Sequence, residues 1–133
     1  SHSNARSLEY HTRNLSDEMI RTIANKGGII GINFYAPFLD GSSLSKSKEI
    51  IKHIIYIRNI GGSDVISFGC DFDGIDCDLE IKDITKINTL IPMLKKAGLK
   101  ESDIEKLFYK NALNFLYRTL PNNPQINKEY SFI

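Results

Sequence analysis

The chain has 133 residues, of which 41% are hydrophobic and 25% are charged, and its formal net charge is +1. That length suits one ordinary domain with a buried core. The near-neutral balance gives no electrostatic argument for nucleic acid or an anionic membrane surface, and no apolar run approaches the ~20 residues of a membrane span. The two cysteines, Cys70 and Cys77, are too few for a small disulfide-stapled scaffold, which favours a reduced, intracellular protein.

Apolar residues alternate along the chain between helical and strand-like spacing. The clearest helix start is Ser16, a good N-cap, followed by Asp17 and Glu18, whose charges the helix dipole favours. Two short runs that are apolar on both faces predict buried strands of a parallel sheet. The predicted elements are helix 16–26, strand 29–35, helix 46–60, strand 65–70, and helices 87–97, 101–110 and 111–120, with a loop at 36–45.

This order predicts an α/β fold with parallel strands. Two strands cannot bury both faces of a sheet, so we expect them to belong to a larger parallel sheet or barrel with open strand edges. Residues 1–120 are expected to form this unit and residues 121–133 an extended tail. The opening string SHSNAR reads as the interior of a longer chain.

Polar residues follow the predicted strands, at the ends where barrel active sites gather. These positions are His2, residues 33–35 with Tyr35, and Asp71 in the string DFDG. Each also has a simpler interpretation: a surface histidine, a core aromatic and a polar turn. No P-loop, dinucleotide-binding turn or nucleophile elbow is present.

The acidic loop from Asp71 to Glu80 suggests one further possibility, a calcium site. Asp76 and Asp78 add oxygen ligands to this loop. However, its glycine is not where an Asp-rich calcium loop needs it for a sharp turn. The calcium hypothesis therefore stays an alternative to a strand-end catalytic acid.

Five strings, in order, resemble the C-terminal part of the membrane (renal) dipeptidase family: SHSNAR, HTRNLSDE, KGGIIGINFY, DVISFGCDFDG and ESDIEKLFYKNALNFL. The resemblance runs from residue 1 to about residue 116. It implies a (β/α)8 TIM-like barrel and metal-dependent hydrolysis of dipeptides, with two zinc ions that activate a bridging water.

The resemblance also implies roles for four residues. His2 corresponds to a zinc ligand, and Arg13 to the arginine that pairs with the C-terminal carboxylate of the dipeptide substrate. Asp71 corresponds to the acid that moves a proton from the water to the leaving amine. Tyr35 would line the substrate pocket.

The family's remaining metal ligands have no counterpart in this chain: a His-x-Asp pair, a bridging glutamate and another histidine. One histidine cannot hold two zinc ions. The chain is therefore expected to be an incomplete part of such an enzyme, with little or no activity alone. Its expected partners are the missing N-terminal part of the barrel or a second copy. The alternative is a non-catalytic α/β module that associates through its exposed strand edges.

Overall fold

The computed structural model of the protein describes residues 2–120, in which short parallel strands alternate with helices. The predicted α/β class with parallel strands is confirmed. In chain order the elements are α1 (Asp17–Asn25), β1 (Ile30–Ile32), α2 (Ala36–Leu39), β2 (Leu44–Ser45), α3 (Ser47–Gly61), β3 (Ile66–Phe68), β4 (Asp78–Leu79), a 3₁₀ helix (Ile84–Thr89), α4 (Leu90–Lys96), α5 (Glu101–Glu105), a π-helical segment (Lys106–Lys110) and α6 (Asn111–Thr119).

Helix α1 begins where its capping residues predict. Ser16 Oγ accepts a hydrogen bond from the backbone N–H of Met19 at 3.3 Å, which satisfies one of the unpaired donors of the first turn. After the helix, Gly27 adopts a φ of 68° and turns the chain towards β1. The predicted helix over 16–26 is thus confirmed, apart from its end residues.

Strands β1 and β3 form the central parallel pair, with Gly31 opposite Ser67. Helix α3 lies between them in sequence and supplies the long connection that parallel neighbours need. A third segment also pairs with β1. His2 forms an isolated parallel β-bridge with Gly31, and the backbone N–H of Ser3 donates to Gly31 O at 2.9 Å. The segment at His2 and strand β3 therefore flank β1.

Both central strands are shorter than predicted. The runs 29–35 and 65–70 contain only three strand residues each. On the edge of β1 that faces the His2 segment, the backbone N–H and C=O of Asn33 pair with the side chain of Asn4 instead of with another strand, both at 2.9 Å. On the opposite edge the Phe34 N–H still donates to Cys70 O, at 3.4 Å. Apolar composition predicted the strands but could not show where a side chain replaces their partner.

The segment 36–45, predicted as a loop, contains α2 and β2. Strand β2 pairs in parallel with β4, an unpredicted strand in the acidic loop, and Leu44 lies opposite Asp78. The Glu80 carboxylate then accepts a hydrogen bond from the Ser47 N–H at 2.8 Å and caps the start of α3. Strands of two residues leave no periodicity in a sequence, so the loop prediction was wrong here for a physical reason.

The core lies where α3 packs on the parallel pair. Ile50, Ile54 and Ile57 of α3 are fully buried, as their helical spacing predicts. Ile30 and Ile32 of β1 and Ile66 of β3 pack against them in the same buried cluster. Within residues 2–120, no helix is long and apolar enough to cross a membrane.

The C-terminal helices are divided differently from the prediction. The predicted helix 87–97 is a 3₁₀ helix followed by α4, and the predicted helices 101–110 and 111–120 become one rod in which a π-helical segment joins α5 to α6. Asn111, directly after that segment, donates from Nδ2 to Ser63 O and Ile66 O, each at 2.7 Å. The predicted tail, 121–133, lies outside the described residues.

Candidate active site

Two glycines bring the strands close enough for His2 to lie against them. A Cβ at Gly31 would lie 3.0 Å from Gly69 Cα, and a Cβ at Gly69 would lie 2.7 Å from His2 Cβ. Cβ atoms essentially never approach a neighbour as closely as the Cβ at Gly69 would, and the contact at Gly31 would be tighter than nine in ten Cβ contacts. The glycines therefore create the space that His2 occupies at the strand ends.

His2 and Asp71 meet in this space although they are 69 positions apart in sequence. His2 Nε2 lies 2.9 Å from Asp71 Oδ2, and both side chains are partly exposed. Asp71 adopts a φ of 64°, the left-handed conformation that only a few non-glycine residues, aspartate among them, adopt readily. The structure thus brings together two of the four predicted site residues.

Asn33 supplies a second donor to the same carboxylate. Its Nδ2 donates to Asp71 Oδ2 at 3.2 Å, and its Oδ1 accepts from the Tyr35 N–H at 2.7 Å. Asn33 is fully buried. One side chain therefore connects Asp71 to the backbone of Tyr35, a third predicted residue.

Arg13 and Tyr35 meet on a shared aromatic ring. The Arg13 guanidinium lies 5.9 Å from the centroid of the Phe38 ring, and Tyr35 packs edge-on against the same ring at 4.9 Å. His11 contacts it from another side at 4.5 Å. Arg13 is exposed, so its guanidinium is accessible to an anionic ligand. The sequence did not predict Phe38 as a site residue, because a single aromatic residue in a predicted loop is usually part of the hydrophobic core.

A cleft of about 450 Å³ opens beside His2 and Asp71. Its floor is the face of the sheet formed by Gly31, Ser67 and Gly69. Cys70 also lines it, but burial raises the pKa of that thiol to about 11. Cys70 therefore stays protonated at neutral pH and is a poor nucleophile.

His53 binds the backbone of the segment that follows His2. Fully buried on α3, it accepts a hydrogen bond from the Ala5 N–H on Nδ1 at 3.1 Å, and Nε2 lies 2.8 Å from Leu39 O. An acceptor Nδ1 requires the neutral ring with its proton on Nε2, which then donates to Leu39 O. Burial lowers the pKa of His53, against smaller opposing effects from Leu39 O and Glu49. The position of His53 among the buried isoleucines of α3 is the feature of the sequence that indicates a buried histidine.

We expect the protein to lose stability as the pH falls below about 6.5, the ordinary pKa of histidine. Because the pKa of His53 is lowered in the folded state, the unfolded chain binds a proton on this ring more readily than the folded chain does. The contribution of His53 to the free energy of unfolding is therefore complete above about pH 6.5. Below that pH it decreases by at most about 1.4 kcal/mol per pH unit. Urea denaturation at pH 7.5 and 5.5 measures this change. His53→Gln should flatten the dependence; an equally steep dependence in that variant would assign it to other groups.

The described residues do not assemble a metal site by themselves. Between residues 2 and 120, no group of three or more His, Cys, Asp or Glu side chains lies close enough together to hold a metal ion. His2 with Asp71 offers two candidate ligands, and a catalytic zinc usually takes three from the protein. The acidic loop fails the same test, and Glu80 is engaged in capping α3. The calcium hypothesis therefore finds no support here.

A family model and several known proteins are similar to this chain. The model of the membrane dipeptidase family (peptidase family M19) matches residues 1–128. A Klebsiella pneumoniae protein, named only as lying in the pqqA 5′ region, is 39% identical over 119 residues, which cover 86% of this chain and 44% of that protein. An uncharacterized dipeptidase of Schizosaccharomyces pombe is 30% identical over 123 residues, or 90% of this chain and 30% of its own length.

A solved structure gives the same result. The metallopeptidase of Rhodobacter sphaeroides, liganded with a phosphinate mimic of the dipeptide L-Ala-D-Ala, superimposes with a TM-score of 0.82 at 30% identity. The superposition covers 90% of this chain and 35% of that one. The chain thus spans less than half the length of each of these three relatives. Since the family model matches nearly its whole length, the chain belongs to the membrane dipeptidase family, peptidase family M19.

Proposed function

We propose that this chain is one part of a metal-dependent dipeptidase and supplies the acid and the carboxylate-binding side of its active site. The contact between His2 Nε2 and Asp71 Oδ2, at 2.9 Å, carries the proposal. It joins a candidate metal ligand to a candidate catalytic acid at adjacent strand ends, where barrel enzymes place their chemistry. The family's metallopeptidase members and the dipeptide mimic bound to one of them support it.

The proposal includes the barrel. We propose that the three parallel segments, at His2, β1 and β3, are consecutive strands of a (β/α)8 barrel whose remaining strands lie outside this chain. A barrel of this type needs ~250 residues, about twice the length of this chain, and the chain covers 35% of the Rhodobacter sphaeroides protein. The small residues of the cleft floor, Gly31, Ser67 and Gly69, would then face the barrel interior.

Metal binding would be shared with the rest of the protein. His2 is the proposed zinc ligand of this chain, and the two zinc ions that the family resemblance implies would need their further ligands from outside it.

The roles of the other residues follow from their chemistry. Asp71, a partly exposed carboxylate beside the cleft, would accept a proton from the attacking water and pass it to the leaving amine. Arg13, exposed above Phe38, would bind the C-terminal carboxylate of the dipeptide with its planar, two-pronged guanidinium. Tyr35, on the same ring, would line the substrate pocket.

A chimeric enzyme tests the proposal. In the Rhodobacter sphaeroides metallopeptidase, the region that superimposes on this chain is replaced by the chain itself, and hydrolysis of L-Ala-D-Ala is measured with zinc. We expect hydrolysis by the chimera and none by the 133-residue chain alone. The unmodified metallopeptidase is the positive control. A chimera that folds and binds metal like its parent but hydrolyses no dipeptide would overturn the proposal.

Arg13→Lys in the chimera is expected to raise KM about tenfold with a much smaller change in kcat, because one ammonium cannot reproduce a two-pronged contact with a carboxylate. Steady-state kinetics over a range of dipeptide concentrations measures both constants. Arg21→Lys, an exposed arginine on α1, is the matched control and should change neither. Equal kinetics for the two variants would remove Arg13 from the substrate site.

A further inference from the structure

We infer that Asn33 is a positioning residue that fixes the orientation of the Asp71 carboxylate for proton transfer. The inference rests on the proposed function and adds a residue to which the family resemblance gave no role. Its basis is a set of hydrogen bonds that use each polar group of Asn33, side chain and backbone, in a fully buried position.

The side-chain amide of Asn33 can adopt only one orientation. Its Oδ1 accepts from the Tyr35 N–H at 2.7 Å, so Nδ2 must face Asp71 Oδ2, at 3.2 Å. A flipped amide would set an NH₂ group against an N–H and a carbonyl oxygen against a carboxylate. Both contacts would be repulsive, and in a buried position neither group could turn to water instead.

The backbone of Asn33 is equally fixed. Asn4, also fully buried, accepts from the Asn33 N–H with Oδ1 and donates to Asn33 O with Nδ2, both at 2.9 Å. The Asn4 side chain thus takes the place of a neighbouring strand. Because Asn4 lies two residues after His2, the segment that holds Asn33 in place is the one that carries the proposed metal ligand.

The two donors converge on one oxygen of the carboxylate. Within residues 2–120, the hydrogen bonds from His2 and Asn33 both reach Asp71 Oδ2. Oδ1 lies over Gly74, where a Cβ would be only 2.4 Å away. Holding Oδ2 from two sides stops rotation of the carboxylate and leaves Oδ1 for a proton. His2 is also the proposed metal ligand, whereas the Asn33 side chain has no proposed role besides binding Asp71 and the Tyr35 N–H.

The contact itself is tested by NMR on the 133-residue chain, which needs neither metal nor activity. The side-chain amide protons of Asn33, assigned by their loss in Asn33→Asp, should exchange slowly with solvent in the unaltered chain. Asp71→Ala should speed the exchange about tenfold, because it removes a charged acceptor. Unchanged exchange in Asp71→Ala would overturn the inference.

The catalytic consequence is tested in the chimera. Asn33→Asp keeps the size of the side chain and an acceptor for the Tyr35 N–H, but replaces the donor to Asp71 by oxygen. We expect kcat for L-Ala-D-Ala to fall about tenfold or more and KM to stay within about twofold. If Asn33→Asp does not fold, Asn33→Ala is measured in its place, because it removes the donor without adding charge.

Asn111→Asp is the matched control for a general loss of stability. Asn111 is a buried asparagine too, but its Nδ2 donates to Ser63 O and Ile66 O instead of to a site residue. This variant should unfold more easily and keep its kcat; an equal loss of kcat in both variants would reduce Asn33 to a structural residue. A chimera that folds and binds metal like its parent but is inactive would instead contradict the proposed function, whatever the NMR exchange shows, so the two failures are distinguishable.

Discussion

Gly69→Ala is expected to lower the free energy of unfolding by about 2–3 kcal/mol and to separate His2 from Asp71. The new Cβ would lie 2.7 Å from His2 Cβ and 3.0 Å from Gly31 Cα. Gly69 does not have a positive φ, so the whole cost is steric. The neighbour that can move is the His2 segment, because the other contact is strand backbone.

Urea denaturation of the chain measures the loss of stability, and the NMR signals of the His2 ring report its hydrogen bond to Asp71. The control is Gly98→Ala, at the end of α4. Gly98 has a φ of 90°, and a Cβ there would meet nothing within 4 Å. Its substitution should cost only the backbone strain, about 1 kcal/mol, with the His2 signals unchanged. If Gly69→Ala proves as mild as the control, the close approach of the strands does not hold His2 in place.

Local signals in the sequence were sufficient for the long helices. Ser16 with its acidic neighbours located α1, and the isoleucine spacing around Ile50 and Ile54 located α3 and its buried face. These features depend on contacts within one or two helical turns. A sequence shows such contacts directly, because capping and amphipathic spacing are local properties.

The ends of the strands could not be predicted in the same way. On the edge of β1 that faces the His2 segment, strand pairing ends because Asn4, 29 residues before Asn33, supplies the next hydrogen bonds. The pair β2–β4 joins Leu44 to Asp78, across 33 intervening residues. Neither the Asn4 hydrogen bonds nor the β2–β4 pairing changes the apolar pattern of the nearby sequence. Tertiary partners decided these boundaries, and a sequence without its fold does not name them.

For the site, the rule that barrel chemistry lies at strand ends was useful and incomplete. It selected both His2 and Asp71, and in the structure these two residues are in contact. It also selected residues 33–35, but it did not reveal that the Asn33 side chain donates a second hydrogen bond to Asp71. Nor did it reveal His53, whose imidazole binds Ala5 and Leu39 from a helix with no strand end nearby.

Asp71→Asn in the chimera is expected to lower kcat for L-Ala-D-Ala by about 10²–10⁴-fold, the range that general acid–base groups contribute. The amide cannot take up the proton from the attacking water. The fold should be retained, because asparagine also tolerates the φ of 64° and its Oδ1 can still accept from His2 or Asn33. Bound zinc, measured by mass spectrometry, should stay at the level of the unsubstituted chimera.

Asp73→Asn provides the matched control two residues further along the same loop. Asp73 is exposed, and its carboxylate is not placed in the site, so kcat should be unchanged. The pair separates the loss of a specific carboxylate from the loss of negative charge in the loop, because each substitution changes the net charge by one. Full activity in Asp71→Asn would show that the acid only forms the turn after β3. A drop confined to Asp71→Asn, with zinc content and stability intact, would assign the proton transfer to that carboxylate.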